Sequence, residues 1–201
     1  MFPALRPLLA AAVQHELLGR FSQEELVRIV GVAVDDAAAK EARLPAQAGG
    51  ARVMLHLAAL AIGLYRALLA RVGEAEARRR TAQVVWRLVR SMMAIPTAVA
   101  ALTAPPGPER LRRATDLVRR YPLGPPGYQV VDVDDADCAV AFDVLRCPVA
   151  DYFASRGLAD LCTDVFCSLD HRLAAEWGAA LERSGTLAGG QDRCDFRWRV
   201  T

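Results

Sequence analysis

The chain has 201 residues, 53% of them hydrophobic and 24% charged, enough for one well-buried domain and far from the composition of a disordered segment. A formal net charge of +2 gives no general electrostatic attraction for nucleic acid, so no nucleic-acid partner is expected. Five cysteines are an odd number, and a chain of this length needs no disulfide staples, so the expectation is a cytoplasmic protein with reduced thiols.

The first half reads as helical. Leu5, Leu8, Leu9, Ala12, Val13 and Leu17 recur at helical spacing, and Gly19 marks a stop. Ser22 with Glu25 three residues on is a capping box that opens a second helix, carrying Leu26, Ile29, Val30 and Ala33 inward and fading near Pro45. Residues 46–51, with Gly49 and Gly50, read as a flexible joint. A third helix, 53–71, is apolar on most of its circumference and is expected at the centre of the fold. His56 and Arg66 interrupt its apolar run, and the short apolar run 8–13 passes straight into Gln14, His15 and Glu16. Neither a membrane span nor a signal peptide is expected from them. A fourth helix, 74–93, has acidic residues in its first turn, which suits the helix dipole.

Pro96 and the Pro105-Pro106-Gly107-Pro108 run break the pattern before a short basic helix, 109–120. Beyond the turn-rich stretch 121–127 the period changes to two: residues 128–133 and 139–145 alternate and form a hairpin across Asp134 to Asp137. Helices at 148–156 and 161–177 follow, then strands at 180–184 and 194–200. The expected fold is α+β: an N-terminal helical bundle packed with an antiparallel sheet whose one face is covered by helices, in the order strand-strand-helix-helix-strand-strand. Residues 1–104 are the helical region, 105–127 the Pro-rich connection with its short helix, and 128–201 the cysteine-containing α+β region. Together they are read as one compact domain.

That last region holds the residues with chemical potential. Cys147 ends a strand and precedes Pro148, at a strand-to-helix turn. Cys167, Asp170 and His171 stand at i, i+3 and i+4, hence on one helix face. Cys162 lies more than a turn earlier and rotated to a different face. On the final strand, alternation groups Cys194, Phe196 and Trp198 on one face and Asp195, Arg197 and Arg199 on the other. A free cysteine taken alone is more often a small buried hydrophobe than a reactive group. His15 and His56, which have no partners in sequence, read as helix-surface or core residues.

Residues 142–198 resemble the L-2-amino-thiazoline-4-carboxylate hydrolase family. The resemblance is carried by Cys147-Pro148, Leu161-Cys162, the run Phe166-Cys167-Ser168-Leu169-Asp170, the turn from Arg183 through Gly189-Gly190, and Cys194-Asp195-Phe196. The order of elements is also similar to that of vinyl-reductase-type ligand-binding domains. The family resemblance implies hydrolysis of a cyclic C=N bond in a small carboxylated heterocycle, with no cofactor. It matches Cys147, Cys167, Asp170 and Cys194 to the catalytic positions. On that reading Cys167 attacks the amidine-like carbon, Asp170 carries a proton, and Arg183 or Arg193 clamps the substrate carboxylate beside His171.

Two other readings keep the same residues. In one, Cys147, Cys167 and Cys194 with His171 or Asp170 are zinc ligands of a biosynthetic enzyme. In the other, the thiols line a non-catalytic small-molecule binding or sensing pocket. All three expect a small-molecule ligand and no membrane, and they allow a homodimer.

Overall fold

The structure, a computed structural model, describes residues 2–40, 44–47 and 49–201. Five helices come first: α1 (Phe2–Leu17), α2 (Gln23–Ala38), α3 (Gly49–Val72), α4 (Glu74–Thr103) and α5 (Pro108–Arg120). The α+β part follows as β1 (Gln129–Asp132), β2 (Val140–Arg146), α6 (Pro148–Ala154), α7 (Ala159–Cys162), a π-helical turn at Thr163–Cys167, α8 (Ser168–Glu176), β3 (Ala179–Glu182) and β4 (Cys194–Val200). The strands form one antiparallel sheet in the order β1-β2-β4-β3. The α+β architecture matches the sequence reading.

Both halves of the capping box form at the start of α2. Glu25 N donates to Ser22 Oγ at 3.3 Å, and Ser22 N donates to the Glu25 carboxylate at 2.7 Å. The α3 helix is the central element, with Leu55, Ala58, Leu64 and Leu68 at most 1% exposed and with α2, α4 and α6 packed around it. Its buried His56 turns its ring back along the helix, with Nδ1 2.6 Å from the Arg52 carbonyl oxygen. Two expectations change here. The joint at 46–51 includes Ala48, which lies outside the described residues, but helix begins already at Gly49. The fourth helix runs ten residues beyond Met93, through Pro96, because proline removes only one helical hydrogen bond while tertiary contacts hold the turn beyond it. Trp177 Nε1 donates to Thr97 Oγ1 at 2.9 Å, and Ala100 is fully packed.

By length and composition α3 and α4 each suffice to cross a membrane. The apolar window of α3 is 72% buried within the fold, that of α4 28%. For α3 the apolar surface is thus accounted for by its neighbours in the bundle.

The sheet offers one face to the helices. Phe142 of β2 is in register with Phe196 of β4, their rings stacked 4.8 Å apart, and Trp198 continues the layer to stack on Trp177 at 5.7 Å. Burial alternates strictly along β4, with Cys194, Phe196 and Trp198 inward, as the period-two reading requires. The space between this aromatic layer and the helices α5, α7 and α8 is where the site lies.

The closeness of α2 to α3 rests on Gly63, where a Cβ would sit 2.5 Å from the Ala33 carbonyl oxygen. Gly63→Ala is expected to lower stability by about 1–3 kcal/mol through overpacking. Gly31→Ala, in open space on α2, is expected to raise it by about 0.5–1 kcal/mol. Urea unfolding of both variants checks the pair, and equal effects at the two glycines would contradict the packing.

Candidate active site

The last helical segment is where the sequence reading and the structure part most usefully. In an α-helix five residues turn through about 500°, which would leave Cys162 and Cys167 about 140° apart. Between them, however, the chain widens into the π turn at Thr163–Cys167, and Ser168 N donates to the carbonyl of Thr163, five residues back. The extra residue per turn brings the Cys162 and Cys167 side chains into line, and the two thiols hydrogen-bond each other. Cys162 therefore belongs to the site, against the phase expected for a regular helix. A π turn inside a helix is a common mark of functional positions.

Asp170 sits in the first turn of α8 and faces the same space. Arg183, immediately after β3, reaches across to it: Nη1 is 2.7 Å from Asp170 Oδ2, and Nη2 donates to the Cys167 carbonyl oxygen at 2.7 Å. The guanidinium also lies 5.1 Å over the Phe196 ring, and its side chain is 5% exposed. Arg183 thus fastens the sheet to the π turn and spends its donors inside the protein. It is a positioning residue, not a free clamp.

The turn after Arg183 completes the surround. The Asp195 carboxylate accepts from Ser184 N, Ser184 Oγ and Gly185 N at 2.6–3.1 Å. Against the upward push of burial, these bonds hold its pKa down at about 2. The anchored turn presents Thr186, whose hydroxyl hydrogen-bonds the Cys167 sulfur, and Leu187 N, which donates to Cys194 Sγ at 3.2 Å.

The thiols are not equivalent. Burial pushes Cys147 up to about 12, although Ala150 N donates to its sulfur, and pushes Cys194 up to about 11. Cys167 moves the other way, below an ordinary thiol. The Cys162 thiol donates to it, Arg183 is close, and Thr186 donates, while burial and the Asp170 charge oppose the shift. Cys162, as the donor of that pair, is held protonated. Asp170 is raised, by burial first, with Arg183 and His171 pulling it down. Tyr128, 5% exposed, is raised by burial and by neighbouring Cys147, Cys162 and Asp170, so its phenol remains a hydrogen-bond donor.

These groups border a cavity of about 130 Å³ between the sheet and the helices. Cys147, Cys162, Cys167, Asp170 and Tyr128 supply its polar wall; Phe142, Phe166, Phe196 and Trp198 are among the aromatic rings that line it. The α3 and α5 helices contribute Met54, Thr115 and Arg119. Cys194 stands just behind this lining, buried, its sulfur engaged by Leu187 N.

Two of the expected positions, Arg193 and His171, lie elsewhere. Arg193 is 52% exposed and pairs with Asp143 at 3.4 Å on the outer face of the sheet, because the residue before Cys194 precedes the inward-facing series of β4. His171 is exposed and does not line the cavity. With His171 turned to solvent and Cys194 set behind the lining, Cys147, Cys167, Cys194 and His171 do not meet as a zinc set. Among the described residues no group of three or more His, Cys, Asp or Glu side chains is arranged to hold a metal ion. Cys138, at the far end of β2, stays apart beside Asp135. Tyr128, Thr186 and Arg119 carried no signal in the sequence, because each needs a tertiary neighbour to acquire its role.

The thiols and the carboxyl thus meet at one concave, largely apolar cavity between helices and sheet. The chain belongs to the L-2-amino-thiazoline-4-carboxylic acid hydrolase family, whose model matches residues 51–198. That span reaches well upstream of the motifs, through α3, α4 and α5, so the helical walls of the cavity are part of the family's unit. No curated protein and no solved structure matches the chain.

Alkylation with iodoacetamide followed by peptide mapping is expected to modify Cys167 first at pH 7–8, with Cys147 and Cys194 far slower. Arg183→Gln should move the Cys167 titration to higher pH by removing a cation. Asp170→Asn should move it lower by removing an anion. The same direction for both variants would contradict the electrostatic arrangement.

Proposed function

We propose that the protein hydrolyses the ring C–N bond of a small carboxylated thiazoline, with Cys167 as the nucleophile and Asp170 as the proton carrier. The observation that carries this reading is the pairing, in one cavity, of a thiol held below its ordinary pKa with a carboxyl held above its own. Such opposed shifts suit a nucleophile and an acid working side by side.

The size of the cavity narrows the substrate. An apolar cavity of about 150 Å³ holds one benzene, so about 130 Å³ accommodates a single five-membered ring. Aromatic side chains face such a ring edge-on or in stacks. The Cys167 thiolate adds to the amidine carbon between the ring nitrogen and sulfur. Asp170 delivers its proton to the departing ring nitrogen, and the C–N bond breaks. Water then adds to the same carbon, Asp170 takes up a proton, and the Cys167 thiolate leaves. One water is consumed and the thiol is regenerated. Cys162 assists by donating to the Cys167 sulfur in its anionic form, and Arg183 keeps Asp170 and the π turn in place. Tyr128 supplies a neutral donor to the substrate. All five cysteines are free, which suits a reducing compartment such as the cytoplasm.

The test is turnover of 2-aminothiazoline-4-carboxylate followed by mass spectrometry of the ring-opened product. Cys167→Ser is expected to lower kcat on the order of 10³-fold or more, and Asp170→Asn roughly 10²–10⁴-fold. Full turnover by Cys167→Ser would remove covalent catalysis. Absence of turnover in the wild-type chain, with ligand still protecting Cys167 from alkylation, would turn the reading toward a binding module.

A further inference from the structure

A site that attacks a carboxylated ring must also hold the carboxylate, and neither arginine expected for that task is available. Arg183 has its guanidinium committed to Asp170 and the Cys167 carbonyl, and Arg193 lies on the outer face of the sheet. We propose that Arg119, near the C-terminal end of α5, is the carboxylate anchor, gripping the substrate at the cavity mouth while its ring lies toward Cys167 and Asp170. This rests on the hydrolase reading for the identity of the substrate, and on the geometry alone for the identity of the anchor.

Among the described residues that line the 130 Å³ cavity, Arg119 is the one cation. It also lines a wider open groove of about 610 Å³, which shares Leu123, Tyr128 and Val130 with the cavity. The groove is thus the vestibule, and Arg119 stands where it narrows. The guanidinium carbon lies 4.9 Å over the Phe142 ring, so stacking fixes the plane of the fork and leaves its edge donors for an acceptor. Its carboxylate partner, Asp132 at 2.7 Å, is 77% exposed. An ion pair so open to water contributes little and exchanges readily for a ligand carboxylate.

Two further observations fit an anionic ligand. Arg120 and Arg146 join Arg119 around the vestibule, against Asp116 and Asp132, which leaves the entrance net positive. Trp198, 3% exposed, lines the cavity, and its indole Nε1–H finds no acceptor among the described residues. A buried donor without a partner calls for one, and a ligand heteroatom in the cavity supplies it. Stacked beneath the same ring layer as Phe142, Trp198 would fix the ring after Arg119 has taken the charge.

The experiment uses thiazole-4-carboxylate and thiazole-4-carboxamide, ring analogues that differ in charge, to protect Cys167 in the full chain from iodoacetamide. In the wild type the carboxylate is expected to protect at roughly 10–100-fold lower concentration than the carboxamide, the worth of a charge-assisted hydrogen-bond pair. Arg119→Gln should abolish that difference and leave protection by the carboxamide in place. Arg119→Lys should keep part of it, and Asp132→Asn should enlarge it by freeing the guanidinium. No carboxylate preference in the wild type, a preference surviving Arg119→Gln, or a loss of preference in Asp132→Asn would each overturn the proposal. Preference without turnover of the thiazoline would leave the anchor standing and remove the hydrolase reading; turnover without preference would do the reverse.

Discussion

The cluster around Arg183 is the constraint on which the rest of the site depends. One guanidinium, almost wholly out of solvent, joins the end of β3 to a carboxylate on α8 and to a carbonyl of the π turn, while resting on an aromatic ring of β4. Removing one member of such a buried pair leaves an uncompensated charge, which is strongly destabilising, whereas the intact pair fixes geometry more than it adds stability. Four successive elements, the π turn, α8, β3 and β4, are therefore held in one relation. Cys167 gains a nearby cation, and Asp170 is kept close with its carboxyl raised by burial. The Asp195 turn then closes the arrangement from the other side with backbone donors.

The aromatic layer gives this polar cluster its surroundings. Phe142, Phe196 and Trp198 come from two paired strands, and their register sets the rings face to face. A cation stands over each phenylalanine, Arg119 over one and Arg183 over the other. The cavity therefore has apolar rings along its floor with charge at its borders, which suits a small ring bearing one charged substituent. That the family match begins at residue 51 follows from the same architecture, since Met54 of α3 and Thr115 and Arg119 of α5 complete the walls.

Much of the fold was legible in the chain because it is encoded locally. The capping box at Ser22 and Glu25, the apolar circumference of α3 and the alternation of Cys194, Phe196 and Trp198 each rest on spacing alone. The site was legible in part: Cys147, Cys167 and Asp170 were singled out and meet at one cavity, with Cys194 directly behind it. What escaped depends on contacts far apart in sequence or on a departure from regular geometry. Pro96 reads as a stop, yet the partner of Thr97 is 80 residues away. Arg183 and Arg193 look alike as sequence; one is buried because its neighbours supply a carboxylate and a carbonyl, the other faces water across the sheet. Cys162 joins the site because of a single π turn, which regular helical spacing does not foretell.

That turn also makes the number of residues between the two thiols part of the chemistry. A π turn is an α-helix with one residue too many, and the surplus is absorbed locally by a widened ring of hydrogen bonds. Were the same residues to relax to ordinary helix with none deleted, Cys167, and α8 with Asp170, would rotate by about 100° relative to Cys162, whereas deleting one residue between the thiols would leave them four apart and still in line. The site therefore depends on residue count and helix type agreeing at this one turn, and a comparison that tracks only which residues are present would not register a mismatch.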